Sequence, residues 1–145
     1  MRPPMAGESA CAFCPILEGR APPHFVLQDA AIVAFLDRRP LFPGHVLVVP
    51  RSHHETLIDL PRSEIGPLFE AVQRICRALE EGLGAEGSLV AVNNRISQSV
   101  PHVHVHIVPR RRGDGLRGFF WPRHPYENDA AAAAVAAKVR AALGS

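Results

Sequence analysis

Hydrophobic positions along the chain fall into short β-branched runs, broken by one long stretch with a different period. Residues 25–28 and 30–36 read as two strands joined at Asp29, whose side chain favours turns. After the loop Pro40-Leu-Phe-Pro43-Gly44, residues 45–49 form a third strand, stopped by Pro50. Then the period changes. Ile65, Leu68, Phe69, Val72, Ile75, Cys76, Leu79 and Leu83 recur at steps of three and four, which predicts an amphipathic helix. Ser63 is placed to cap it, Pro67 is tolerated in its first turn, and Gly82 or Gly84 ends it. Residues 88–92 and 102–108 return to strand patterning. The alanine-rich stretch 128–143 predicts a second helix, capped by Asn128 or Asp129. Strand pairs around one main helix predict an α+β domain on an antiparallel sheet. Residues 1–10 read as a disordered lead-in, 11–117 as the domain, and 118–145 as a C-terminal extension.

At 145 residues, 47% hydrophobic and 21% charged, the chain fits one soluble domain that folds without disulfide staples. A formal charge of +2 lacks the concentrated positive face of a nucleic-acid binder. No apolar run approaches the ~20 residues that span a bilayer, and the first residues lack the apolar stretch of a secretory signal. The expectation is a cytoplasmic protein with no nucleic-acid or membrane partner. Arginine outnumbers lysine fifteen to one and twenty residues are alanine, a bias that a GC-rich genome explains. Of three cysteines, Cys11 and Cys14 form Cys-x-x-Cys and Cys76 lies on the apolar helix face. An odd count argues against a disulfide framework. The pair alone is compatible with redox chemistry, zinc binding or no role.

The unusual figure is eight histidines, three of them in His102-Val-His104-Val-His106. Alternate side chains of a strand share a face, so the imidazoles line one side while Val103, Val105 and Ile107 enter the core. Two chemistries compete. A metal site is limited by reach: the outer histidines lie ~13 Å apart along a regular strand, against ~2.1 Å for a Zn–N bond, so one ion cannot take all three. Alternatively, a neutral imidazole attacks phosphorus without adding negative charge, while its neighbours hold the tautomer and protonate the leaving group. Gln98 and Ser99 offer donors to phosphoryl oxygens, and Arg110, Arg111 and Arg112 a positive field. These neighbours favour the second chemistry.

His102-Val-His-Val-His-Ile-Val108 resembles the His-φ-His-φ-His-φ-φ signature (φ hydrophobic) of the histidine triad (HIT) superfamily. Gly44-His-Val-Leu-Val-Val-Pro50, Gln98-Ser-Val-Pro-His102 and Pro109-Arg110 are similar to the same family, in the same order. The likeness touches both the fragile histidine triad and the Hint-type branches. It implies a HIT-like fold, a five-stranded antiparallel sheet with one main helix, paired as a homodimer. It also implies a nucleotide hydrolase or transferase acting at the α-phosphorus of an adenosine phosphoramidate or dinucleoside polyphosphate and releasing AMP. By the resemblance, His104 is the nucleophile and forms a nucleotidyl-histidine, and His106 contacts the phosphate and protonates the leaving group. His102, together with His45, orients the nucleophile. Asp37 would bind the ribose hydroxyls, Ile32 and Phe35 the base, and Asn93, Gln98 and Ser99 the phosphate. The stretch Asn93-Asn-Arg-Ile-Ser-Gln98 departs from many relatives, which carry a glycine-rich loop there.

No cofactor is implied for catalysis. Cys11, Cys14, His53 and His102 resemble a structural zinc set of some bacterial relatives, with His54 competing for the place of His53. Two other readings stand beside the covalent one. The first is a zinc-dependent hydrolase that uses triad histidines as ligands, and the second a nucleotide-binding module with little turnover.

Overall fold

The protein is described by a computed structural model over residues 11–17, 23–116 and 123–144. These divide into two units, one ending at Asp114 and the other beginning at Gly115. The expected lead-in at 1–10 and the segment Phe119-Phe-Trp121 lie outside the described residues.

The first unit opens with a single helical turn, α1 (Cys14–Leu17). There follow β1 (Phe25–Gln28), β2 (Ile32–Leu36), β3 (Val46–Pro50), the long helix α2 (Arg62–Leu83), β4 (Gly87–Val92) and β5 (Val105–Arg110). The strands make one five-stranded antiparallel sheet in the order β1-β2-β3-β5-β4. Asp29 closes the β1–β2 turn by accepting from the amides of Ala31 and Ile32 at 2.8 and 2.7 Å, the turn its residue type favours.

Side chains alternate across the central strands, and both faces are covered. Ile32, Ala34, Val46, Val48, Val105 and Ile107 pack against Leu68, Ala71, Val72, Ile75 and Leu79 of α2. Val33, Phe35, Leu47 and Val49 face the other way, against Cys11 and Phe13. Burial on two sides explains why β2 and β3 read as continuous apolar runs. Each fully buried side chain of this kind contributes about 1.5–3 kcal/mol.

The structure differs from the sequence expectation in three places. Helix α2 begins at Arg62, behind Pro61, which is already at φ −58°; Ser63 is therefore not its cap, and Pro67 lies in the second turn. There Pro67 costs α2 one backbone hydrogen bond, a loss outweighed by its five buried residues. Gly84, at φ +67°, ends the helix with its N–H on the Glu80 carbonyl, a conformation that favours glycine. Second, β5 starts at Val105, so His102, Val103 and His104 precede the strand. Their backbone is held by a loop instead: the Val103 amide donates to the His54 carbonyl at 2.7 Å.

Third, the arginine run does not form a field for the triad. Arg110 pairs with Asp114 at 2.7 Å, Arg111 donates to the Leu83 and Gly84 carbonyls at the end of α2, and Arg112 stands 3.6 Å from Glu86. Cationic donors at a helix C-terminus satisfy its orphan carbonyls and oppose its dipole. In the second unit, α3 (Asp129–Leu143) is capped by Asn128, whose side chain accepts from the Ala131 amide at 2.8 Å. No described helix is long and apolar enough to cross a membrane.

Candidate active site and metal centre

The sheet face opposite α2 carries the histidines. Leu47 of β3 pairs with His106 of β5, and His104 continues that face two residues earlier. Gly44 turns the chain into β3 at φ +99°, where an added Cβ would lie 2.6 Å from Leu83 Cδ1. The positive φ is what favours glycine there, since the Leu83 methyl could swing aside. The turn sets His45 beside His106.

Hydrogen bonds assign the ring protons. The Leu41 amide donates to His45 Nδ1 at 3.1 Å, so in the neutral ring the proton sits on Nε2. That Nε2 lies 3.0 Å from His106 Nδ1 and 3.6 Å from Asp37 Oδ2. His45 therefore donates to His106 Nδ1, and His106 carries its own proton on Nε2. His104 Nδ1 donates to the His102 carbonyl at 2.8 Å, which leaves the lone pair of His104 on Nε2. Every buried side-chain nitrogen and oxygen among the described residues has a partner. The Nε2 atoms of His104 and His106 have none, so both reach solvent. A basic nitrogen and an N–H donor thus stand side by side, with ring centroids 4.9 Å apart.

Burial holds all these rings neutral. Desolvation lowers His104 and His45 below the ordinary 6.5, opposed at His104 by its hydrogen bond to the His102 carbonyl and then by the Asp37 charge, and at His45 by the Asp37 charge. His106 is pushed down to about 4 by desolvation and then by His104 and His45. The neutral state is the one in which an imidazole can attack.

His102 turns a different group to each of its two expected neighbours. It orients His104 through its backbone carbonyl, while its ring turns away. Its Nε2 donates to the Pro50 carbonyl at 2.8 Å, leaving a lone pair on Nδ1. That Nδ1 lies 3.4 Å from Cys11 Sγ, 4.0 Å from Cys14 Sγ and 3.1 Å from His53 Nδ1, with Cys14 Sγ 3.5 Å from His53 Nδ1. A tetrahedral zinc with bonds of ~2.0–2.3 Å demands ligand separations of roughly 3.3–3.8 Å. The 3.4 and 3.5 Å separations lie inside that range and the 3.1 and 4.0 Å ones just outside it, so small side-chain adjustments let the four residues fit the ion. The Pro50 carbonyl supplies the outer hydrogen bond that orients a ligating histidine. His54 is not a competitor: its Nε2 is 3.1 Å from Glu64 Oε2.

A second set, Asp37, His45 and His106, also lies close enough to share a cation. The Leu41 amide argues against it, because it occupies His45 Nδ1 and so keeps the proton on the nitrogen that would have to ligate. The structure thus places one triad histidine in a metal-competent cluster, His102, and not the two that a zinc-dependent hydrolase would use.

Beside the triad lies a cavity of about 660 Å³, lined by Phe13, Phe35, Leu47 and Asp37 among others. Phe35 and Asp37, both expected at the nucleotide site, line this cavity. Ile32 does not: strand alternation sends it to the α2 side, buried among Ala34, Val46 and Val48. Gln98 is engaged by backbone, accepting from the Arg95 amide and donating to the Glu55 carbonyl. With Asn94, which accepts from the Leu57 amide at 2.9 Å, it ties the loop before the triad to the loop after β3. Asn93 and Ser99 make no side-chain hydrogen bond to the triad rings among the described residues. Phe13 escaped the sequence reading. Its ring meets His104 edge-on at 4.9 Å and Phe35 at 5.6 Å; an aromatic inside Cys11-Ala-Phe-Cys14 was the available signal.

The HIT domain profile matches residues 18–113. The chain belongs to the HIT family. An uncharacterised HIT-like protein of Methanocaldococcus jannaschii is 40% identical over 107 residues, covering 72% of this chain and 82% of that protein. An adenosine 5'-monophosphoramidase of Candida albicans is 30% identical over 131 residues, 86% of each chain. An asymmetrical bis(5'-nucleosyl)-tetraphosphatase of Schizosaccharomyces pombe is 40% identical over 83 residues, 56% of this chain and 46% of that one. Among solved structures, a Streptococcus mutans protein superposes with TM-score 0.85 at 30% identity, over 96% of this chain and 89% of its own. A zinc-bound histidine triad family protein of Mycobacterium smegmatis gives TM-score 0.71 at 36% identity, over 92% and 98%. With hydrolases among its HIT relatives, a general activity on nucleotide phosphorus bonds is consistent with the family.

Proposed function

We propose that this HIT domain hydrolyses an adenosine nucleotide at its α-phosphorus through a nucleotidyl-His104 intermediate, releasing AMP. The observation that carries this reading is the pair of solvent-reaching ring nitrogens, a basic Nε2 on His104 beside an Nε2–H on His106, next to a nucleoside-sized cavity. Phe35 offers aromatic surface to the base, and the Asp37 carboxylate accepts from the ribose hydroxyls. His104 Nε2 attacks phosphorus, forming a P–N bond as the bond to the leaving group breaks. His106 gives its Nε2 proton to that group. Water then cleaves the P–N bond, its proton returns to His106, and AMP leaves with His104 restored. Gln98 acts by holding the loop, and Asn93 and Ser99 remain the polar groups offered to the phosphate.

Zinc fits the chemistry of Cys11, Cys14, His53 and His102, a set with no open position, so its contribution there is to hold the fold around the site. The names of the relatives, a phosphoramidase and a tetraphosphatase, support a nucleoside phosphate with a variable leaving group. A homodimer is supported by β4, an edge strand with Val90 exposed, and by exposed Ile65 and Phe69 on α2; light scattering measures it.

The test is AMP release from adenosine phosphoramidate and from a diadenosine polyphosphate, with His104→Ala as control. AMP from the first substrate assigns a phosphoramidase, and AMP from the second a dinucleotide hydrolase. Binding of AMP without release from either would favour a binding module instead.

A further inference from the structure

The Cys-x-x-Cys segment takes part in two sites at once. Its thiols belong to the metal-competent cluster, with Cys11 Sγ 3.4 Å from His102 Nδ1 and Cys14 Sγ 3.5 Å from His53 Nδ1. Its other side chains, Ala12 and Phe13, and Ile16 just beyond, form part of the wall of the nucleoside cavity. Phe13 is 6% exposed. Its ring touches the proposed nucleophile His104 at 4.9 Å, the cluster member His102 at 6.1 Å and the cavity residue Phe35 at 5.6 Å.

Helix α1 is a single turn of four residues, too short to hold its own conformation. The segment makes no strand pairing in the sheet. Its position depends on the four-residue cluster and on the packing of Cys11, Phe13 and Ile16 against β2 and β3.

We propose that Phe13 is a positioning residue through which metal occupancy of the cluster sets nucleotide affinity. Closing four ligands around an ion fixes Cys11 and Cys14, and with them the aromatic ring between. Phe13 then holds the edge of His104 and one wall of the cavity in the arrangement that accepts a nucleotide. Metal loss releases both. A closed set of four ligands has no place for a phosphate, so the coupling runs through the chain and not through contact between ion and substrate. The inference rests on the nucleotide-binding reading above. Linkage is reciprocal, so a nucleotide tightens the metal by the same factor as the metal tightens the nucleotide.

The full chain, metal-free and loaded with equimolar zinc, is titrated with AMP by calorimetry, and zinc affinity is measured against a chromophoric chelator with and without AMP. The expected result is an AMP Kd about tenfold lower in the loaded protein, and a zinc Kd about tenfold lower at saturating AMP. Phe13→Leu keeps zinc but loses the coupling, and Phe13→Tyr, which keeps the ring, retains it. Equal AMP affinity with and without zinc overturns the proposal, as does undiminished coupling in Phe13→Leu. Circular dichroism shows whether the metal-free chain is folded. If it is not, the metal acts on folding of the whole chain and not through Phe13, which overturns the proposal. Failure of AMP to bind either form removes the functional reading itself, whereas equal binding to both removes only the coupling.

Discussion

His104 Nδ1 lies 2.8 Å from the carbonyl oxygen of His102, so the first residue of the triad holds the second by its backbone while its own ring faces two thiols. The lone pair this leaves on His104 Nε2 has no substitute nearby. His104→Ala is expected to lower AMP release by at least roughly 10⁴-fold, the scale of losing a nucleophile. AMP affinity should stay within about threefold, since the cavity wall is untouched. Turnover assays with calorimetry check both, and a rate within tenfold of wild type would rule out the covalent route.

Acid should loosen the fold through His106. Its folded-state value of about 4 lies below the ordinary 6.5, so the unfolded chain binds the extra proton between those two values. Stability from the neutral ring is complete above about pH 6.5 and is lost as pH falls through 4. Allowing for partial exposure, the loss is about 1–2 kcal/mol. Urea melts at several pH values are expected to be flatter across this range for His106→Leu; an identical pH dependence in the variant would contradict the assignment.

Two adjacent histidines should differ sharply in metal binding. His53→Ala removes a ligand and should weaken zinc by on the order of 10²-fold or more. His54→Ala breaks only the 3.1 Å contact with Glu64, worth at most about 1 kcal/mol at a half-exposed site. Chelator competition distinguishes them, and zinc lost from His54→Ala but kept by His53→Ala would reverse the ligand assignment.

Ile32 and Phe35 lie on opposite sheet faces, three residues apart, and their truncations should separate stability from binding. Ile32→Ala leaves a void under α2 and should cost about 2–5 kcal/mol, with AMP affinity of the folded protein unchanged. Phe35→Ala opens the cavity wall and should raise the AMP Kd about tenfold, besides its own cost in stability. Loss of AMP affinity in folded Ile32→Ala would contradict the placement.

Much of the site was legible because it is local. The alternation that puts His104 and His106 on one face is set by spacing over a few residues, whereas the roles of His45 and Asp37 come from the resemblance to HIT proteins. The misreadings each needed information from a distant segment. Arg111 looked like free positive charge until the end of α2 arrived beside it. The resemblance already favours His53 over His54 as a ligand, and Glu64, ten residues on, engages His54 instead. Ile32 and Phe35 both read as pocket candidates because a strand covered on two faces shows no polar alternation to tell its sides apart.

By itself, the sequence determined the α+β class, the amphipathic helix and the turn at Asp29, since periodicity and turn chemistry act over a few residues; the triad was legible as a resemblance to HIT proteins. Only the tertiary structure decided which nitrogen of each ring carries its proton, because that depends on the Leu41 amide and the His102 carbonyl reaching particular atoms. It also decided that His102 serves the thiol cluster with its ring and the nucleophile with its backbone. That division depends on Cys11, His53 and Pro50, which meet His102 only once the sheet has closed.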